Sequence, residues 1–153
     1  MGTERSDVSE MIGKIDGAWR DLQVSFEGLP EEEMLQPGVT EAWSVRDILA
    51  HVAVWDAFAL DRLPGILETG KHPEYEDVDA FNARMTEEKR GLTLEAVRQE
   101  LDATHQRLLD YLGGVSPASV AGNVAFRERL AADTWDHYPE HAAAIRAWRE
   151  KRE

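Results

Sequence analysis

Two histidines, His137 and His141, stand four residues apart in a stretch whose apolar spacing reads as one helix, and a third, His51, lies far upstream in another. Residues four apart on a helix share a face about one turn apart, so two imidazoles there can converge on one point. A third imidazole from a second helix would close a facial metal site. All three ligands would be neutral, so a divalent ion would keep its full positive charge and at least one open coordination position. A water or a thiol in that position loses its proton more easily, water reaching a pKa of about 7 in the best zinc cases. Such a site suits hydrolysis, and it suits addition of an activated thiol to an electrophile.

The competing reading is structural. His51 shares its stripe with Ile48, Trp55 and Phe58, and His137 and His141 share theirs with Ile145 and Trp148, so all three face the interior. A lone buried histidine is more often a hydrogen-bonded core residue than a ligand. Three on the inward faces of two helices fit a metal site or a hydrogen-bonded core, and spacing leaves both open. Asp47, one turn before His51, and Glu140, beside His141, are the candidates to support the ligands from behind, although capping is the first role expected of Asp47. His72 reads as an exposed loop residue and His105 as a flank residue of the third helix; neither is assigned a role. Trp19, Trp55, Trp135 and Trp148 fall at core spacing, while Trp43 precedes a cap as a hydrophobic staple would. Asp136 is expected to face solvent.

Four helices must position these residues. The first runs from about Val8 to Phe26, on Met11, Ile12, Ile15, Trp19, Leu22 and Phe26, with Gly28 just past its end. Leu29 to Ala42 reads as a loop carrying Pro30, Pro37 and Gly38. Ser44 followed by Asp47 resembles a capping box, which opens a second helix from Val45 to about Leu63; Pro64-Gly65 is expected to end or kink it, with a short continuation to Gly70. After a polar connection from Lys71 to Val78, a third helical region runs from about Asp79 to Leu112. It is interrupted near Gly91, where Thr93 can cap a restart on Leu94, Val97, Leu101, Leu108 and Leu112. The last helix is expected from about Phe126 to Trp148. No strand-like alternation, internal repeat or low-complexity segment is present.

The segment from Pro64 to Val78 decides the topology. Fully extended it reaches roughly 50 Å at about 3.3 Å per residue, more than a helix length of about 30 Å. It can therefore carry the chain back along the bundle, leaving helices two and three parallel.

Composition agrees with one domain over residues 1–153, a length that can bury a proper core, with 42% hydrophobic residues. No apolar run is long enough to span a bilayer. The start, Met1-Gly2-Thr3-Glu4-Arg5-Ser6, lacks the apolar stretch of a signal peptide, so a cytoplasmic protein is expected; it also fits the loose amino-terminal myristoylation pattern. With no cysteine, disulfides and thiolate ligands are unavailable, and any nucleophilic thiol must come from a substrate. A net charge of -13 argues against nucleic acid and against anionic membrane surfaces as partners.

The stretch Trp43-Ser44-Val45-Arg46-Asp47-Ile48-Leu49-Ala50-His51-Val52-Ala53-Val54-Trp55 resembles the second-helix signature of the DinB-like (DinB/YfiT) four-helix-bundle proteins. Asp133-Thr134-Trp135-Asp136-His137-Tyr138-Pro139-Glu140-His141, continuing to Ile145 and Trp148, resembles their last helix, particularly in the DfsB/ClbS-type branch. Most of the chain is covered, with the specificity confined to these two segments. The resemblance implies an all-α four-helix bundle in up-down-down-up order with a crossover between helices two and three. It also implies a divalent metal on His51, His137 and His141. Relatives of this type include thiol-dependent transferases and isomerases, and the DfsB/ClbS branch is associated with detoxifying reactive electrophiles without metal chemistry being required.

Together these readings point to a metal-dependent enzyme acting on a small electrophilic molecule by thiol S-transfer or hydrolysis, with a small-molecule substrate as partner and a low-molecular-weight thiol as a second cofactor. A non-catalytic binding or sequestration protein on the same bundle is the alternative, and a homodimer is open to either. All-imidazole ligation suits zinc, nickel, copper or iron, with zinc and nickel first. Pro139, between two presumed ligands, departs from the pattern. Inside a continuous helix it costs about 3 kcal/mol or more. A kink or π-bulge would keep both rings on one face, as would a new helical start with Pro139 in its first turn; a true break at His137 would swing that ring away. The shared spacing with Ile145 and Trp148 favours the kink.

Overall fold

Met11, Ile15 and Leu22 lie along one stripe, the buried face of helix α1, Thr3–Ser25, and Phe26 is buried just past its end. The computed structural model describes residues 3–152, so the Met1-Gly2 start of the myristoylation pattern lies outside the described residues. Seven more helices follow among them: α2 (Glu31–Met34), α3 (Val45–Thr69), α4 (Val78–Lys89), α5 (Leu94–Gly113), α6 (Pro117–Val120), α7 (Val124–Asp133) and α8 (Tyr138–Arg152). The described residues form no strand, only an isolated bridge between Thr40 and Trp43. No described helix is long and apolar enough to cross a membrane.

The capping box at the start of α3 is formed as the sequence leads one to expect. Ser44 Oγ accepts from the Asp47 backbone N–H, and the Ser44 N–H donates to the Asp47 carboxylate at 3.0 Å. Pro64 does not end the helix, which continues to Thr69 and stops at Gly70, whose φ of 73° is the left-handed conformation that glycine adopts without cost. The predicted third region divides at Gly91, and Thr93 Oγ1 accepts from the Ala96 N–H to start α5. Leu94, Val97, Leu101, Leu108 and Leu112 are all buried.

Contacts between helices fix their directions. Arg127 pairs with Glu10, Arg146 with Asp21, and Arg149 donates to the Ser25 carbonyl, so α7 and α8 rise alongside α1. Asn123 donates to the Ile66 carbonyl while Tyr138 reaches Asp56, so the same two helices run opposite to α3. His105 stacks on Trp19, and Arg98 lies over Phe26, setting α5 opposite to α1 and hence parallel to α3. The chain returns between those parallel helices along α4, which lies against the outside of α3: Phe81 packs on Trp55 and Phe58, and the Lys89 carbonyl receives Arg46. No residue of α4 is buried.

Two expectations need correction. His105 is not a flank residue: it is 7% exposed and stacked on Trp19 with ring centroids 3.7 Å apart. The last helix is not continuous either. It breaks between Asp133 and Tyr138, and Pro139 takes the second position of α8, where a helix has no use for the missing N–H. The expected kink is thus replaced by a new helical start.

Candidate metal centre

A break at this point should cost His137 its place on the inner face, yet it does not. The Thr134 N–H still bonds back to Leu130, the Asp136 N–H reaches the Ala131 carbonyl at 3.0 Å, and the His137 and Tyr138 N–H groups both donate to Thr134. This tight turn aims the His137 ring inward just before α8 begins. His141, one turn into α8, and His51, on the second turn of α3, point to the same place.

His137 Nε2 lies 3.0 Å from His51 Nε2 and 3.0 Å from His141 Nε2, and one ligand atom from each ring falls within 4.8 Å of the others. Hydrogen bonds alone do not satisfy this arrangement. A neutral imidazole offers one N–H and one lone pair. Whether His137 Nε2 carries its proton or not, it can serve only one of its two neighbours well. Protonating the cluster is no remedy, since burial, reinforced by the neighbouring imidazoles, pushes His51 down to about 3. Burial likewise lowers His137 to about 3, with His141 adding to the shift, and lowers His141 as well, with Glu140 opposing.

A divalent cation fits this donor set. At about 2.05 Å from a tetrahedral ion two imidazole nitrogens sit about 3.3 Å apart, close to the two 3.0 Å separations that His137 makes. Ligation through Nε2 leaves the proton on Nδ1. In His137 that atom is buried without a hydrogen-bond partner.

Surrounding residues shape the site. The bridge between Thr40 and Trp43, with Glu41 at φ 53°, holds the Trp43 indole 4.8 Å from the His51 ring, and Trp55 lies on another side at 6.4 Å. Asp47 has both carboxylate oxygens engaged, one by the cap and the other by Arg46 at 2.6 Å. Glu140 is exposed and acts on His141 through its charge. His72 stands outside the site, bonded to Tyr75 and Glu128 at 2.9 Å each. Trp55 is buried; Trp19, Trp135 and Trp148 are only half-buried against the core.

Sequence reasoning passed over a polar pair beneath the site. Asp56 and Tyr138 are fully buried, and the tyrosine hydroxyl donates to Asp56 Oδ1 at 2.7 Å, leaving Oδ2 without a partner. Burial drives the Asp56 carboxyl well above its usual range. Nearby, Asp133 is bound through both oxygens by Arg129, yet burial still lifts it to about 6. The signal was available: Asp56 is the one charged residue in the otherwise apolar run from Val52 to Leu60.

The DinB superfamily profile matches residues 14–144. Two solved structures share the fold. One, described as Sibling Lethal Factor Precursor, DfsB, superposes with a TM-score of 0.79 at 15% identity, covering 95% of this chain and 96% of its own. The other, an uncharacterised protein from Escherichia coli UTI89, gives a TM-score of 0.74 at 13% identity, covering 95% and 94%. No curated protein matches the chain.

Proposed function

The chain belongs to the DinB superfamily, and on that footing we propose that His51, His137 and His141 hold one divalent metal ion, zinc or nickel first, in a metal-dependent enzyme acting on a small electrophilic molecule. The observation that carries this reading is the convergence of three Nε2 atoms, with His137 placed 3.0 Å from both of the others. Three neutral ligands leave an ion an exchangeable position, whereas a closed structural site would use four. Bound there, a divalent ion supplies Lewis acidity and makes a water or an added thiol more acidic.

The protein's own contributions are distinct from the ion's. The capped start of α3 fixes His51, the turn over residues 134–137 aims His137, and Trp43 and Trp55 flank the His51 ring. The chain has no cysteine, so S-transfer requires a low-molecular-weight thiol as co-substrate, while hydrolysis requires none. A cytoplasmic location and a small-molecule partner belong to the same reading.

Metal analysis of protein purified without a histidine tag is the decisive experiment. One equivalent of a divalent metal per chain is expected, retained by His72→Ala and His105→Ala and strongly weakened by replacing any of the three ligands with Ala. A triple variant that holds as much metal as the parent overturns the assignment. Model electrophiles should then be offered with glutathione, bacillithiol or mycothiol, and in parallel with water alone. Turnover that persists after complete metal removal, or saturable binding without turnover, counts against a metal-dependent enzyme.

A further inference from the structure

Between α3 and α4 lies a narrow cleft, bordered by His51, with room for about one water molecule, the size of a single polar atom such as a carbonyl oxygen. Ala50, Val54, Met85, Thr86 and Asn82 line it. The charged groups at its edge are already engaged: Arg46 donates to the Lys89, Arg90 and Leu92 carbonyls and to Asp47, and Lys89 pairs with Glu100 at 2.7 Å. An incoming anion would meet no free cation there, and an ammonium no free carboxylate.

Asn82 is different. The Trp55 indole Nε1 donates to Asn82 Oδ1 at 2.8 Å. An indole nitrogen can only donate, so this bond settles which end of the amide faces Trp55. It leaves Nδ2, with two N–H groups that find no acceptor among the described residues, as the free donor on the cleft wall.

We infer that this cleft receives a neutral carbonyl oxygen of the substrate, with Asn82 Nδ2 as the donor that selects it, an inference that rests on the three-histidine reading. The electrophile handled at the histidines is then a ketone, ester, lactone or amide rather than a carboxylate or a phosphate. Trp55 serves as a positioning residue, holding the amide the right way round.

The test is an NMR titration of the intact protein, metal-free and zinc-loaded, with cyclohex-2-enone and with cyclohexanecarboxylate. The Asn82 side-chain NH₂ resonances, identified by their loss in Asn82→Asp, should shift saturably with the ketone and not with the carboxylate. Asn82→Asp keeps the acceptor for Trp55 and Asn82→Leu keeps the volume; each should weaken ketone binding at least tenfold. Zinc titration of the same samples separates the two ideas. A parent protein that binds no zinc removes the histidine reading, whereas an Asn82 signal that ignores the ketone in zinc-bound protein removes the cleft inference alone. Tighter binding of the carboxylate, or undiminished ketone affinity in either folded variant, overturns it as well.

Discussion

The Tyr138 hydroxyl and the Asp56 carboxyl meet at 2.7 Å in a fully buried contact, tying the first residue of α8 to α3 just over one turn beyond His51. Because Tyr138 directly follows His137, this bond fixes the register in which the two histidine-bearing segments face each other. Tyr138→Phe should cost about 1–3 kcal/mol, the penalty of leaving a buried acceptor unpaired. Denaturant unfolding of metal-free protein measures it; a loss of under a few tenths would show that the bond does not fasten α8.

Asp56 also sets how stability responds to alkali. Its folded pKa is raised well above the usual value of 3.8, so its contribution is full below that value and is lost as pH rises through the folded pKa. Asp133, raised to about 6, acts in the same direction between 3.8 and 6. Asp56→Asn retains an acceptor for Tyr138 and cannot ionise. The variant should match the parent below about pH 3.8 and exceed it by a growing margin as pH rises from there towards 8, and parallel stability curves for the two proteins would contradict this.

The histidines act with the opposite sign. For His51 and His137 the folded pKa is lowered from 6.5 to about 3, so the unfolded chain binds protons that the folded one refuses. Metal-free protein should therefore lose stability as pH falls from 6.5 towards 3, by up to about 1.4 kcal/mol per pH unit for each ring. A His51→Phe, His137→Phe double variant, compared by urea unfolding at pH 7 and pH 5, should show a shallower fall. An equal fall would place the rings in contact with water.

Chelation should leave a folded, helical protein. The buried faces of α1, α3 and α5 pack around Ile15, Leu49, Leu63 and Leu108 independently of the three imidazoles. Metal at a hundred times its dissociation constant should add about 2.7 kcal/mol. Thermal melts followed by circular dichroism would reveal a lower midpoint with chelator. A chelated chain that is unfolded at room temperature would mean that the ion creates the fold.

Pro139 provides a further check. In the interior of a helix its removal would be a gain, but in the first turn of α8 its fixed φ is already suitable. Pro139→Ala should therefore destabilise by about 0.4–1 kcal/mol, through the greater freedom of the unfolded chain. Clear stabilisation would restore the kinked continuous helix.

Periodicity and capping chemistry made much of this legible. The stripes of α1 and α5, the Ser44 box and the Thr93 restart all follow from local rules, and so does the inward placement of His51. What escaped was decided by tertiary context. Spacing of four suggested that His137 and His141 share a helix, whereas His137 lies in the preceding turn and reaches the same point by another route. His105 looked like a flank residue because nothing local announces an aromatic partner on α1. Asn82 carried no signal, since its meaning depends on Trp55, which meets it only through the path of α4.

His51 and His137 are separated by 86 positions in the chain. No fragment made early in synthesis can contain their meeting point, and the set becomes complete only after His141 has been added and α8 has docked. The His-to-His contact thus belongs to the slow, non-local class of folding events. On the proposed metal-binding reading, a growing chain would offer an ion only single imidazoles, so tight capture would wait until the domain is finished, and the choice of ion would fall to the completed three-histidine cluster and not to a flexible peptide.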